Sequence, residues 1–440
     1  MKNSRLADLL LLTAGFIFLC TLLVNLNPAM AADPDEWFDS HLDKHMELYR
    51  WLHSNPELSL CEEKTAAKIA QVWQELGFEI TTNVGGHGVV AILDNGEGPT
   101  VMLRTDLDAL PITEATPLPF ASTVVAPNED GTETGVMHAC GHDIHMTNLT
   151  AVAGYLSDNR DKWKGTLMLI AQPAEEKGKG AKAMLDDGLF ERFKKPDYAL
   201  AMHVRSDRPT GNVVIRSGFS QANVDSVDIT MIGRGGHGSA PETAIDPIVQ
   251  AADLVMSLQM IVSREMDPQE PAVITVGSIH GGTKHNIIGD QCKLQLTVRS
   301  YGDESRQKLL AAIGRRAKGV AKTYGAPSPT LEFSEGTPSL KNDEKLAARM
   351  RILFSDLIGA DHVEDGTPSM GGEDFSRYGI AGVPILMYSV GSVNANRLAR
   401  FEKMEIPPPS LHSAAYYPDA PETLRISVKT MSAAAIDLLQ

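Results

Sequence analysis

The densest group of potential metal ligands in the chain is the stretch MHACGHDIHM, residues 137–146. Three histidines, one cysteine and one aspartate lie within eight positions there. Such a group can bind a metal ion, supply a redox-active thiol or open a helix with polar residues. Cys-x-His is not a zinc-finger spacing and no Cys-x-x-Cys pair accompanies it, so the stretch alone leaves all three interpretations open.

Other candidate polar residues lie at the ends of apolar segments. These segments are predicted strands, and in an open α/β sheet functional sites form beyond the carboxyl ends of the strands. Four successive connections carry groups that can hold a metal or a proton, which solubility alone does not explain. The residues are Asp106 and Asp108, Cys140 and His142, Glu175 and Glu176, and His203.

The chemistry of this set is that of a transition-metal centre. Imidazole, thiolate and carboxylate groups suit Zn, Mn, Ni or Co, whereas Ca and Mg prefer oxygen ligands. A thiolate can bridge two ions, and two ions roughly 3.5–4 Å apart polarise a carbonyl and lower the pKa of a bound water. A carboxylate must then move the proton. Because adjacent side chains diverge, one of Glu175 and Glu176 can bind metal while the other stays free.

The elements that position these residues predict a two-domain α/β protein. Strands alternate with helices in residues 33–220 and again in 334–440, which indicates one discontinuous catalytic domain with a mostly parallel central sheet. Residues 221–333 follow the order β-α-β-β-α-β instead, which predicts an inserted ferredoxin-like α+β domain. A chain of 440 residues is long enough for both.

The charge and the cysteine content of the chain argue against a nucleic-acid partner and against a disulfide framework. The formal net charge is −16 and no basic block stands out, so nucleic acid is not expected as a partner. The three cysteines after residue 31, Cys61, Cys140 and Cys292, provide no disulfide framework.

The N-terminus predicts export. Residues 1–31 combine Lys2 and Arg5, an apolar run of about 16 residues and a small-residue exit, the layout of a cleavable signal peptide. An uncleaved membrane anchor is the alternative, although a spanning helix needs about 20 apolar residues. We therefore expect a periplasmic or secreted protein with no stable membrane span after cleavage.

Ten motifs in order resemble the hippurate hydrolase and auxin–amino acid conjugate hydrolase group of the two-metal aminoacylase/carboxypeptidase family. The resemblance covers about residues 40 to 440. The motifs are LHSNPELSLCEEKTA, LRTDLDALPITE, GVMHACGHDIHM, AQPAEEKGKGAKAML, GGHGSAPE, DPIVQAA, NIIGD, TVRS, GGEDFSRY and LHSAAYYPD.

The resemblance implies a role for each matched residue. Cys140 would bridge two divalent metal ions, and Glu175 would act as general base and then as general acid. Asp108 would orient a metal ligand, a task that metal-bound imidazoles usually require. His138, Asp143 and His145 are expected only to support the ligands. The remaining ligands would be His142, Glu176, His203 and His412, the last chosen from the resemblance alone.

The inserted domain gains a role in the same way. In the family it forms the dimer and closes over the site, which implies a homodimer here, with a tetramer as the alternative. His237 resembles a histidine that reaches the partner's site and stabilises the oxyanion of the tetrahedral intermediate. Asn286 and Arg299 match positions that hold the substrate's carbonyl or carboxylate.

The resemblance implies a metal-dependent amidohydrolase that cleaves N-acyl amino acids, of the hippurate or N-acetyl type, to a carboxylic acid and an amino acid. A dipeptidase or carboxypeptidase with the same metals, acting on short peptides, is the close alternative. A non-catalytic ligand-binding relative and a redox role for Cys140 are the others. The redox role lacks a resolving cysteine.

The assignment of Glu175 as the base generates a prediction. Glu175→Ala removes the proton carrier and leaves the five proposed ligands in place, so turnover is lost while metal content stays near that of the wild type. Metal analysis and an amide-hydrolysis assay on the same preparation check both parts. Substantial activity in the variant would contradict the assignment.

Overall fold

The computed structural model describes residues 33–128, 130–334 and 336–440. The predicted signal peptide, residues 1–31, lies outside these ranges. Within them, no helix combines the length and the apolar character needed to cross a membrane.

The elements alternate along the described chain. The helices are α1 (Pro34–Ser54), α2 (Glu63–Glu75), α3 (His142–Asp158), α4 (Gly180–Asp186), α5 (Leu189–Arg192), α6 (Pro247–Arg264), α7 (Asp303–Thr323), α8 (Glu344–Ile358), α9 (Ser376–Ile380), α10 (Ala395–Lys403) and α11 (Ala420–Leu438), with short 3-10 helices at Arg160–Lys162, Pro241–Thr243 and Ala360–His362. The strands are β1 (Glu79–Val84), β2 (Gly88–Asn95), β3 (Thr100–Asp106), β4 (Val125–Pro127), β5 (Glu133–Gly135), β6 (Gly165–Gln172), β7 (Tyr198–Pro209), β8 (Val213–Ile215), β9 (Gly218–Gln221), β10 (Asn223–Ile232), β11 (Gly236–His237), β12 (Ala272–Gly281), β13 (Ile287–Ile288), β14 (Gln291–Ser300), β15 (Thr330–Phe333), β16 (Leu340–Asn342), β17 (Val363–Asp365) and β18 (Ile385–Val393).

The larger sheet has eight strands in the order β1-β2-β6-β3-β7-β18-β8-β17. Its four central strands, from β6 to β18, are parallel. Successive side chains of a strand point to opposite faces. Leu103 of β3 accordingly lies in the core under α1, α3 and α11, whereas Met102 lies in the core beneath α4 and α9. Both faces are covered, which explains the nearly continuous apolar sequence of these strands.

The second sheet has four antiparallel strands in the order β12-β14-β10-β15. Helices α6 and α7 pack on it around a separate core that includes Leu254, Leu294 and Leu309. Its strands lie between Asn223 and Phe333, and their sequence and spatial order is that of a ferredoxin-like unit. The predicted fold class is confirmed.

Two local features differ from the sequence-based expectation. The strand predicted to end at His203 continues to Pro209, which pairs with Val393 of β18 beyond an irregularity in the register. Helix α10 was not predicted. It is nine residues long and none of its residues is buried.

Candidate metal centre

The site forms at the carboxyl edge of the large sheet. Strands β6, β3 and β7 are neighbours, so the residues that follow or end them meet at one place. Asp106 is the last residue of β3, Glu175 and Glu176 follow β6 after a short turn, and His203 lies in β7. A cavity of about 810 Å³ opens there, lined among others by Cys140, Glu175 and His203.

A close approach of two backbones places Cys140. Gly141, just before α3, has φ +82°. A Cβ at this position would lie 2.5 Å from Cγ2 of Val204, so only glycine lets the turn lie against β7. The thiol sulfur of Cys140 then lies 3.5 Å from Nε2 of His203 and 3.3 Å from Nε2 of His412.

The other proposed ligands complete the group. Oε1 of Glu176 lies 3.4 Å from Nε2 of His412 and 3.8 Å from Nε2 of His142. In each of three overlapping sets, the potential ligand atoms lie within 4.8 Å of one another. The structure therefore brings all five predicted ligands together. The sets are Cys140, His142 and His203; Cys140, Glu176 and His412; and His142, Glu175 and Glu176.

These donors fit divalent metal ions. Nε2 of His142 and Oε1 of Glu176 are buried and make no hydrogen bond within the described part of the chain, which is costly unless a cation binds them. Burial, and then the charges of Glu176 and Glu175, raise the pKa of the Cys140 thiol. Burial lowers the pKa of His203 to about 3, which leaves a neutral imidazole available as a ligand.

His412 occupies its place through an unusual backbone conformation. Its φ is +66°, in the left-handed region that residues other than glycine rarely adopt. Its N–H donates to the carbonyl oxygen of Ala139 at 2.9 Å, which ties the loop of His412 to the turn that carries Cys140. Strained backbone of this kind is common at functional sites.

Asp108 acts through two different groups. Its main-chain carbonyl lies 2.8 Å from Nδ1 of His142 and so orients that ring. Its carboxylate accepts the N–H of Glu176 at 3.0 Å and the hydroxyl of Ser59. Asp108 therefore touches the ligands His142 and Glu176 at once, which agrees with the supporting role expected of it.

The three polar neighbours of Cys140 have distinct surroundings. Nδ1 of His145 lies 2.8 Å from Asp106 while its Nε2 accepts the N–H of Val204, so neither ring nitrogen is free for a metal. Asp143 lies 2.6 Å from Nδ1 of His53. His138 is buried, and burial lowers its pKa to about 4. His138 and Asp143 belong to none of the groups of converging ligand atoms, whereas His145 forms one with Asp106 and His142. The supporting role of the three stays a prediction.

Glu175 is buried beside other acidic side chains, an environment that was not predicted. Burial, then Glu373 and Glu176, raise its pKa. Arg104 of β3 balances these charges, since it donates to Asp106, Glu373 and Asp374 at 2.7–3.3 Å. Glu373 and Asp374 belong to the motif GGEDFSRY. The sequence did not show that they pair with Arg104, which is distant from them along the chain.

Comparison with known proteins decides the family. The profile of peptidase family M20/M25/M40 matches residues 102–415, more than half of the chain. The chain belongs to this family. The predicted resemblance is thereby confirmed, and with it the predicted class of activity, metal-dependent hydrolysis of an amide bond.

Relatives within the M20/M25/M40 family span several named activities. A hippurate hydrolase of Campylobacter jejuni is 38% identical over 326 residues, 74% of this chain and 82% of that protein. Thermostable carboxypeptidase 2 of Saccharolobus solfataricus is 35% identical, over 80% of this chain and 86% of that protein. A dinuclear metal-binding peptidase of Bacillus subtilis superposes with a TM-score of 0.74 at 29% identity, covering 91% of this chain and 99% of that structure.

In this M20/M25/M40 chain, the predicted substrate-binding residues Asn286 and Arg299 and the predicted oxyanion-stabilising His237 lie in two different places. Arg299 lines the cavity, where one guanidinium nitrogen donates to the carbonyl oxygen of Met370 at 2.6 Å. His237 and Asn286 lie together and exposed at the small β11–β13 sheet, and neither lines that cavity.

The geometry generates a prediction for His412. Removal of its imidazole in His412→Ala takes a donor from the group formed with Cys140 and Glu176, so metal content falls from about two ions per chain to about one or fewer. His362→Ala, at an exposed histidine away from the cavity, keeps the wild-type content. Elemental analysis after dialysis checks both variants, and equal metal content in the two would remove His412 from the ligands.

Proposed function

We propose that the protein hydrolyses N-acyl amino acids at this centre with two divalent metal ions. The observation that carries the proposal is the convergence of one thiol, three imidazoles and one carboxylate beside a buried second carboxylate, Glu175. The hippurate hydrolase relative supports an acyl amino acid as the substrate. The donor set suits Zn, Mn, Ni or Co.

Glu175 is the proton carrier of the proposed reaction. The bound ions would polarise the amide carbonyl and lower the pKa of the attacking water. Glu175 takes the proton of that water and then gives it to the leaving nitrogen. Burial and the neighbouring Glu373 raise the pKa of Glu175, which makes its carboxylate a stronger proton acceptor.

Arg299 is the proposed anchor for the substrate's carboxylate. The carbonyl oxygen of Met370 and the hydroxyl of Thr297 hold its side chain at the wall of the cavity. No carboxylate pairs with Arg299 within the described ranges, so its charge is available to an anion. The planar guanidinium matches the two oxygens of a carboxylate.

A homodimer is the proposed assembly, with the partner's His237 completing each site. Strand β12 is an edge of the four-stranded sheet, and Met256 and Met260 of α6 are 69% and 49% exposed. Edges and apolar surface of this kind favour association. Nδ1 of His237 accepts the N–H of Ser239, so Nε2 carries the proton that an oxyanion would accept.

Export to the periplasm or the medium is proposed on the sequence of residues 1–31 alone. An exported hydrolase of this kind would release amino acids from conjugates outside the cytoplasm.

The substrate class generates a prediction. Purified protein cleaves hippurate or N-acetyl amino acids with a higher kcat/KM than dipeptides, because Arg299 binds the terminal carboxylate and no group in the proposed site is assigned to a free amino terminus. Chelation abolishes turnover, and separate addition of Zn, Mn, Ni and Co identifies the ion that restores it.

Three outcomes would count against this proposal. Faster cleavage of dipeptides would favour the carboxypeptidase alternative, for which the Saccharolobus relative speaks. Activity after complete metal removal would exclude the mechanism. Metal-loaded protein that cleaves nothing in the panel would favour a binding function.

Shared sites generate a second prediction. His237→Ala chains and Glu175→Ala chains are each nearly inactive, but a mixed dimer contains one site with both residues intact. Reassembly of an equal mixture therefore restores about a quarter of wild-type activity. Failure of the mixture to regain activity, with mixed dimers shown by mass spectrometry, would mean that His237 does not act across subunits.

A further inference from the structure

The segment that joins α1 to α2 lies against both loops that carry the catalytic acids. We refer to residues 57–62, with the sequence ELSLCE, as the clasp. The carbonyl oxygen of Glu57 accepts the N–H of Ala109 at 2.8 Å, and the hydroxyl of Ser59 donates to the carboxylate of Asp108. The clasp thus holds the loop after β3, and its last residue reaches the loop after β6.

Glu62 is the residue that makes the second connection. Its side chain is fully buried, and Oε1 accepts the N–H of Ala174 at 2.7 Å. Glu62 stands at the N-cap of α2, but its side chain makes no capping hydrogen bond to that helix. Burying a carboxyl group costs desolvation free energy. The hydrogen bond that the Glu62 carboxyl group makes in return is to Ala174, in the loop that carries Glu175.

Ala174 needs such a contact. Its φ is +50°, in the left-handed region, although a side chain is present. The residue immediately precedes Glu175, so its conformation sets the direction in which the Glu175 side chain leaves the backbone. Other conformations are open to an alanine, so contacts with the surrounding backbone must stabilise the left-handed one.

Two carboxyl groups therefore hold the amides on either side of Glu175. Glu62 accepts the N–H of Ala174, and Asp108 accepts the N–H of Glu176 at 3.0 Å. The carboxyl groups come from different parts of the chain, and the clasp contacts both through Ser59 and Glu62. Between them, the main chain of Glu175 is fixed at both ends.

We propose that Glu62 is a positioning residue for catalysis: its carboxyl group holds Ala174 in the left-handed conformation and thereby aims Glu175 at the reacting atoms. The proposal rests on the proposed function of Glu175 as the proton carrier. Glu62 itself does not line the cavity and is not one of the proposed ligands. Its effect falls on kcat, because it orients a group that acts in the transition state.

The test compares two substitutions of Glu62. Glu62→Leu keeps the size of the side chain but removes the acceptor, so kcat falls by about 10²-fold while KM and metal content stay close to wild type. Glu62→Gln keeps Oε1 and retains most of kcat. Glu63→Leu, at the exposed neighbouring glutamate, is the matched control and behaves as wild type.

A second measurement does not depend on activity. Hydrogen exchange of a peptide covering residues 172–178 becomes at least about tenfold faster at Ala174 in Glu62→Leu, since its amide has lost its acceptor, and is unchanged in Glu62→Gln. If every substrate of the amide panel fails, this measurement still tests whether Glu62 orders the loop.

Several outcomes would overturn the proposal. Glu62→Leu with wild-type kcat would do so, as would unchanged exchange at Ala174. Equal loss of kcat in Glu62→Gln and Glu62→Leu would mean that charge, and not the hydrogen bond, matters. If Glu62→Leu does not fold, a large loss of kcat in metal-loaded Glu62→Gln is sufficient to reject the proposal.

Discussion

The pairing of Arg104 with three carboxylates is the interaction on which the edge of the large sheet depends. Its guanidinium, on the central strand β3, contacts Asp106, Glu373 and Asp374, and all four side chains are almost completely buried. Charges removed from water are tolerated only when they are paired and hydrogen-bonded. Arg104 therefore ties the segment around residue 373 to the sheet and builds the wall beside Glu175.

The single positive charge of Arg104 does not neutralise all the acidic groups that are buried beside it. Glu175, Glu176 and the Cys140 thiol share the same corner, and burial together with these like charges raises the pKa of the thiol and of Glu175. Cations are what allow a thiolate and several carboxylates to coexist, so metal binding and the stability of this edge are linked. Fold and chemistry are thus two results of the same electrostatic balance.

The sequence predicted most of the framework, because strands that alternate with helices and the β-α-β-β-α-β order are periodic signals. It also indicated Cys140 and the residues at strand ends, since parallel strands bring their carboxyl ends together. His412 required a family resemblance, because it lies in an irregular loop at positive φ. Arg104 and Glu62 were missed as partners of the site. Their hydrogen bonds join distant segments, and no local pattern encodes such a pairing.

The position of His412 along the chain has a consequence for biosynthesis. It follows Cys140 by 272 residues, and the whole four-stranded sheet lies between the two. A chain emerging from the ribosome therefore presents Cys140, His142, Glu176 and His203 long before their last partner exists. The complete donor set forms only after the segment that carries His412 has been made and its N–H has bonded to the carbonyl oxygen of Ala139. The centre consequently distinguishes a chain that extends past residue 412 from one that ends before it, because only the longer chain offers all five donors.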